Sequence, residues 1–325
     1  MGPKRFFITG AMGCIGAWVC YHLLRQGHEV ISFDVSDKGH RLDYLMGKDK
    51  LSRITFIKGD LRDFAQIKDT LNSYKISHII HLAALQVPFC KENPMMGSEV
   101  NVTGTVNIFE AAYQCGISHI SYASSIAVYG PPELYPEGLI QYDAPYDPRT
   151  LYGVYKVANE GTAKIYWQDK GVSSIGLRPY TIYGLGRDQG LTSDPTKALL
   201  AVAMGKAFTI NFSGDMQFQW ASDVAQTFIQ TAQNPIEKGT YEGANIFNLG
   251  GVVHSVAEFV AMVQALRPEA RIQIKEMPLP FPKGFDDSRL RALLPAYHET
   301  PLVEGIKRTL LAFEDLYAQG KISEG

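Results

Sequence analysis

The chain has 325 residues, 46% of them hydrophobic, and a formal net charge of -2 from 31 Lys and Arg against 33 Asp and Glu. Balanced charge leaves no basic surplus to neutralise a nucleic-acid backbone or an anionic membrane, so neither is expected as a partner. The apolar fraction suffices for one large domain with a smaller lobe, and no apolar run approaches the roughly 18 residues of a membrane span.

Strand-forming residues begin at Lys4, so no signal peptide is expected. The four cysteines (Cys14, Cys20, Cys90, Cys115) have no CxxC or Cys/His ligand spacing. They read as buried thiols of a reducing compartment, which makes the cytoplasm the expected location and a metal site unexpected.

In chain order, strands are predicted at Arg5–Thr9, Glu29–Asp34, Ile54–Lys58, 78–82 and His119–Ala123. Helices are predicted at 14–26, Phe64–Ser73 and 97–115, and a further one from Leu151 to about Lys170, followed by a strand at 174–177. Strand, helix, strand at this spacing predicts an α/β fold with a doubly wound parallel sheet, a Rossmann arrangement. The runs FFIT, HIIHLA and HISYAS are apolar on both alternating sets, as strands covered on two faces must be.

Beyond Pro179 the glycines and prolines crowd together (Gly184, Gly186, Gly190, Pro195) and short elements are expected, with a buried strand at 245–249 and an irregular loop at 278–282. The predicted division is a Rossmann domain over 1–178, rejoined by about 214–250, and a smaller C-terminal substrate lobe made of 179–213 and 251–325.

Thr9-Gly10-Ala11-Met12-Gly13-Cys14-Ile15-Gly16 lies between the first strand and the first helix. Gly10 permits the tight turn, Gly13 lets backbone approach a pyrophosphate, and Gly16 lets the helix pack on the sheet. Cys14 and Ile15 open the helix, whose N-terminus supplies N–H groups and a positive dipole. Asp34 follows Gly16 by 18 residues and ends the second strand, where an acid accepts the ribose hydroxyls of NAD and repels the extra phosphate of NADP. NAD is therefore the expected cofactor; Lys38, His40 and Arg41 follow closely and keep NADP as the second reading.

Tyr152 and Lys156 stand four apart, one helical turn on a common face. Tyr44/Lys48, Tyr166/Lys170 and Tyr317/Lys321 share that spacing, so context must choose. Only Tyr152 follows a strand end rich in hydroxyls, Ser124-Ser125. A hydroxyl carbon gives up hydride only if its proton is removed, and a phenol of pKa about 10 is a poor base at neutral pH. Lowering it to about 7 takes roughly 4 kcal/mol. An ammonium roughly 4 Å away at an effective dielectric of about 20 supplies about that much.

The GxxGxxG spacing preceded by Thr9, together with Gly59-Asp60-Leu61-Arg62 and Leu82-Ala83-Ala84, resembles the short-chain dehydrogenase/reductase superfamily. Tyr122-Ala123-Ser124-Ser125-Ile126-Ala127-Val128-Tyr129-Gly130, Asn101-Val102-Thr103-Gly104 and Leu177-Arg178-Pro179-Tyr180-Thr181-Ile182-Tyr183-Gly184 resemble its extended branch, the sugar epimerase/dehydratase group. The resemblance implies that Asp60 and Leu61 meet the adenine and that Leu82, Ala83, Ala84 and Pro179 line the cofactor. It implies a catalytic set of Ser125, Tyr152 and Lys156, with Asn101 supporting the lysine through water or backbone, and a homodimer formed through the helices 97–115 and 151–170.

The departures from that branch concern the substrate. Thr181 stands where nucleotide-sugar epimerases carry Asn, and Gly214 to Trp220 holds no Arg before Asp223-Val224 to grip a diphosphate. Pro278 to Phe285 offers only Lys283. A missing cation forfeits charge-assisted bonds of about 1.5–3 kcal/mol each, which favours a small polyol, free sugar or sugar acid. Ile126-Ala127 offers no acid after the serine, so dehydration is not expected. Gln86, Thr181 and Arg187 are the candidate substrate residues, Arg187 as a carboxylate anchor or else as a loop arginine paired with Asp188. Trp220 reads as core, with a sugar platform as the second reading; His78 and His81 read as structural. The expected activity is an NAD-dependent dehydrogenation at a carbinol carbon; the alternative is an NAD-retaining sugar 4-epimerase, nucleotide sugars included.

Overall fold

A computed structural model of the chain describes residues 2–238, 242–294 and 296–322, the side chains of 234–238 excepted. β1 (Arg5–Thr9) leads through a glycine turn to α1 (Cys14–Arg25), then β2 (Glu29–Asp34), α2 (His40–Met46), β3 (Ile54–Lys58) and α3 (Phe64–Ser73). β4 (His78–His81) is followed by the short α4 (Val87–Glu92) and α5 (Pro94–Ser98), then α6 (Gly104–Gln114), β5 (His119–Ala123), α7 (Leu151–Lys170) and β6 (Ser173–Arg178). These strands pair in parallel with β1 between β2 and β4. Chain order reverses at β1, and ligands of open α/β sheets bind at the carboxyl ends of strands beside such a reversal.

Strand alternation separates two cores. Phe6, Ile8 and Ile80 face the layer containing α1, whereas Phe7, Ile79, Ile31 and Phe33 face Ile67, Ile108 and Phe109 from α3 and α6. Phe6, Phe7 and Ile8 are fully buried. Full burial of one such side chain contributes about 1.5–3 kcal/mol, so the sheet is anchored at its centre, where the glycine turn begins.

After β6 come β7 (Thr181–Tyr183), α8 (Asp194–Ala203), β8 (Phe208–Ile210), β9 (Asp215–Trp220), α9 (Ala221–Lys238) and β10 (Ala244–Asn248). α9 packs on α1, and β10 pairs with β6 to complete a seven-stranded sheet of order β10-β6-β5-β4-β1-β2-β3. β11 (Val253–Ser255) joins β9 and β7 in a separate three-stranded sheet, so within 214–250 β9 pairs outside the seven-stranded sheet whereas β10 joins it. α10 (Val256–Leu266), β12 (Ile272–Ile274), α11 (Ser288–Leu293) and α12 (Leu302–Ala318) complete the chain.

Two expectations need correction. The second lobe is not made only of short elements: α10 has 11 residues and α12 has 17. Leu302, Ile306, Leu310 and Phe313 repeat at helical spacing and are buried, and a Ser255/Glu258 capping box starts α10. The helix expected at 97–115 is likewise interrupted. Glu99–Thr103 forms one π-helical turn between α5 and α6. Among the described residues no helix is long and apolar enough to cross a membrane.

Candidate active site

The phosphate turn leaves no room for side chains. A Cβ on Gly16 would lie 2.1 Å from the Gly10 carbonyl oxygen, and one on Gly10, whose φ is +71°, would lie 2.7 Å from the Ala83 nitrogen. Gly13 is the N-cap of α1 and offers no side chain to the first-turn N–H groups of the helix, which stay available to an anion. The Asp34 carboxylate accepts from the Met12 N–H at 3.0 Å and from the Ser36 N–H at 3.0 Å, which fixes it at the lip of the turn. This cradle fits a dinucleotide pyrophosphate with a ribose beside Asp34. The Asp60 side chain is taken up by Arg62, whose guanidinium holds its carboxyl below the usual range; Leu61 is buried against Gly104.

The loop after β4 is held by a chain of hydroxyls. Thr105 donates to the Asn101 carbonyl and so accepts from His81 Nε2 at 3.1 Å. His81 Nδ1 then accepts from Thr9 Oγ1 at 2.7 Å, and Thr9 Oγ1 accepts from the Leu82 and Ala83 N–H groups. Burial pushes His81 down to about 3, so it stays neutral and structural. Among the described residues no cluster suits a metal ion.

A cleft of about 190 Å³ opens beside this loop. Ile15, Leu82 and Ala84 line its cofactor side, with Pro179 beside them; Ser125, Tyr152, Lys156, Gln86 and Arg187 all reach it. Thr150 caps α7 by accepting from the Gly153 N–H at 3.0 Å. A Cβ on Gly153 would lie 2.2 Å from the Ala127 oxygen, so this glycine lets the first turn of α7 press against the segment that carries Ser125. Successive β residues point opposite ways. Ser124 turns inward and donates to Glu160 at 2.5 Å, while Ser125 faces the cleft and hydrogen-bonds Tyr152.

The electrostatics differ from the expected arrangement. Burial raises the Tyr152 phenol to about 12, against the opposing pull of Ser125 and Arg187. The Lys156 ammonium donates to the Ala123 carbonyl at 2.6 Å and lies 5.5 Å from the Tyr152 ring centroid, so it does not hold the phenol down here. Burial lowers Lys156 itself to about 8.

Asn101, Thr181 and Arg187 each make contacts that their places in the sequence did not specify. Asn101 pairs with both backbone groups of Leu85, accepting from N–H at 2.7 Å and donating to C=O at 2.9 Å, with no direct bond to Lys156. Thr181 is fully buried with its hydroxyl against Met216 Sδ at 3.3 Å, because strand alternation gives the cleft to its neighbour Ile182. Arg187 is not paired with Asp188, which bonds Arg41 and His40 instead. Arg187 touches Thr192 Oγ1 at 3.4 Å, and its buried Nε has no partner among the described residues. No described Asp or Glu lines the cleft.

The turn of positive-φ Gly190 brings Arg187 and Gln86 together: a Cβ there would meet Gln86 Oε1 at 2.3 Å and Arg187 Nη2 at 2.9 Å. Trp220 packs edge-on against Trp18 and under Arg308, away from the cleft, and Lys283 pairs with Asp215 at the surface. Tyr180, Leu191, Thr192 and Phe281 also line the cleft; sequence reading missed them because they stand on irregular segments without a periodic signal.

A glycine cradle at the reversal of a parallel sheet, opening onto a Ser/Tyr/Lys cleft, defines a dinucleotide-dependent enzyme of the extended short-chain dehydrogenase/reductase class. The chain belongs to the NAD dependent epimerase/dehydratase family, whose model matches residues 6–250, and NAD is its cofactor. It is similar to a UDP-glucose 4-epimerase of Mycolicibacterium smegmatis, 29% identical with 96% of this chain and 99% of the relative covered. The solved UDP-glucose 4-epimerase of Thermus thermophilus in complex with NAD superposes with a TM-score of 0.79 at 25% identity, covering 95% and 99% of the two chains. An L-threonine dehydrogenase of Clostridium difficile shares the fold at a TM-score of 0.82, 22% identity and 97% and 99% coverage.

Proposed function

We propose that this enzyme is an NAD-dependent dehydrogenase that oxidises a carbinol carbon of a sugar acid or closely related polyol. When bound, NAD supplies the hydride-accepting ring and its positive charge. Ser125 holds the substrate oxygen, and the Tyr152 oxygen takes the hydroxyl proton. Lys156 turns from the Ala123 carbonyl towards the phenol and a cofactor ribose hydroxyl. Arg187 and Gln86 grip the far end of the substrate, the guanidinium taking a carboxylate.

The observation that carries this reading is the Arg187 guanidinium, reaching without a carboxylate partner into a cleft that no described acid lines. The lack of any arginine in 214–220, and the pairing of Lys283 with Asp215, support a substrate without a diphosphate. The second reading, an NAD-retaining 4-epimerase, is favoured by the Mycolicibacterium smegmatis relative.

The test is a panel of aldoses, uronic acids and aldonic acids with NAD and with NADP, following both reduced cofactor and product stereochemistry. Net NADH from an acid is the expected result. Inversion of a carbinol centre without net NADH identifies the epimerase, and preference for NADP overturns the role of Asp34.

We also propose that two copies pair through α6 and α7, where Tyr113, Val154 and Ile165 are exposed, and that the enzyme works in the cytoplasm, consistent with its four free cysteines. Light scattering in solution reads the first, and a monomeric mass overturns it.

A further inference from the structure

One guanidinium joins three separate parts of the chain. Arg41 on α2 donates to the Met12 carbonyl in the phosphate turn, to the Gly186 carbonyl at 3.0 Å, and to both carboxylate oxygens of Asp188. His40 adds a second contact to Asp188 at 3.2 Å. The segment 184–192 is therefore a strap tied across the first turn of α1, where Trp18 Nε1 also donates to the Leu185 carbonyl at 3.0 Å. Its glycines at 184, 186 and 190 have φ of +120°, +91° and +104°, conformations that glycine adopts without the steric penalty of a Cβ. Neighbouring residues of the strap face opposite ways: Arg187 enters the cleft, and Asp188 turns out to the clasp.

We infer that Arg41 and Asp188 are positioning residues that fasten this strap over the dinucleotide, so that breaking their contact is the step that releases NADH. The inference rests on the dinucleotide lying on the phosphate turn and does not depend on which substrate the enzyme oxidises. The ties are charge-assisted but partly exposed, with Arg41 at 12% and Asp188 at 43% side-chain exposure. Contacts of that kind are individually modest and weaken with salt. They suit a strap that opens in every catalytic cycle and that carries Arg187, the cation facing the substrate, with it.

The test uses the intact enzyme loaded with NADH and no substrate. NADH is displaced by excess NAD in a stopped-flow instrument, and its fluorescence gives the dissociation rate. Asp188→Asn and Arg41→Gln are expected to release NADH about tenfold faster, as the loss of paired charge-assisted hydrogen bonds predicts. Asp188→Glu, which keeps the charge, is expected to recover most of the slow release. Added salt should accelerate release from the parent more than from Asp188→Asn. Salt acceleration of the parent alone needs no substituted protein, and its absence also overturns the inference. Release within about twofold of the parent from both charge-removing variants, or equal salt acceleration of parent and Asp188→Asn, overturns the inference. Neither result bears on the proton chemistry of Tyr152, whose own test needs substrate.

Discussion

Tyr152 raises a charge problem that neighbouring residues resolve only in part. From about 12, reaching a working value near 7 requires about five units, or about 7 kcal/mol. One ammonium roughly 4 Å away supplies about 4 kcal/mol at an effective dielectric of about 20. Lys156 must therefore leave the Ala123 carbonyl, and the positive ring of bound NAD must add to it. Tyr152→Phe is expected to lower kcat/KM by about 10² to 10⁴ while NADH affinity, measured by fluorescence titration, stays at the parent value.

The lysine also sets a pH limit. With its pKa lowered to about 8, Lys156 is charged below that pH and neutral above it, so activity should fall on the alkaline side. Lys156→Arg keeps the charge at every working pH and is expected to lose that alkaline limb, whatever its absolute rate. A pH profile of kcat/KM for the two enzymes decides it; an alkaline limb unchanged in Lys156→Arg removes the lysine from that role.

At the scale of elements, the π-helical turn shows how a local irregularity serves the loop after β4. Asn101 leaves the helical face and satisfies both the N–H and C=O of Leu85, sixteen residues earlier. Asn101→Ala strands those backbone groups, and each unsatisfied buried group costs about 1–3 kcal/mol. A lower thermal midpoint is expected, accompanied by weakened NAD binding, because Leu82 and Ala84 border the cofactor side of the cleft.

The first-half strands were readable in the sequence because runs such as Phe6-Phe7-Ile8 are buried on both faces, and the glycine turn because its spacing meets a strand and a helix there. The π turn was not, since the bonds of Asn101 to Leu85 join segments sixteen residues apart that local spacing does not relate. Thr181 shows a related limit. Alignment of a motif places a residue at a position along β7 but does not say which face of the strand its side chain takes. Arg187 and Asp188 were legible as neighbours, yet their opposite directions depend on the positive-φ glycines around them and on Arg41, which is far away in the chain.

Acid sensitivity belongs to the whole molecule, because three histidines on two sheet strands are buried as neutral groups. His78, His81 and His119 are 4%, 4% and 2% exposed, and burial lowers them to about 4, 3 and 4. His119 shows why the ring resists protonation. Its ring is 2% exposed, and the burial that disfavours a charge there outweighs the Thr231 carbonyl on α9, which accepts from Nε2 at 2.9 Å and pulls the other way.

An unfolded histidine takes up its proton near 6.5, so between about pH 6.5 and 4 the unfolded chain binds more protons than the folded one, and stability must fall as pH falls. Burial also lowers His22 on α1 to about 4; each group contributes at most about 1.4 kcal/mol per pH unit, and the four together about 5 to 6. Integrated from pH 7 to 5 this removes about 2 kcal/mol per histidine, a large share of a total stability of about 5–15 kcal/mol. Urea unfolding at intervals from pH 7 to 5 should show that slope, and His119→Gln should reduce it by about one quarter relative to the parent. A slope left unchanged by His119→Gln, in a variant whose neutral-pH unfolding remains cooperative, means that His119 already takes up its proton in the folded state and that carboxylates drive the acid loss.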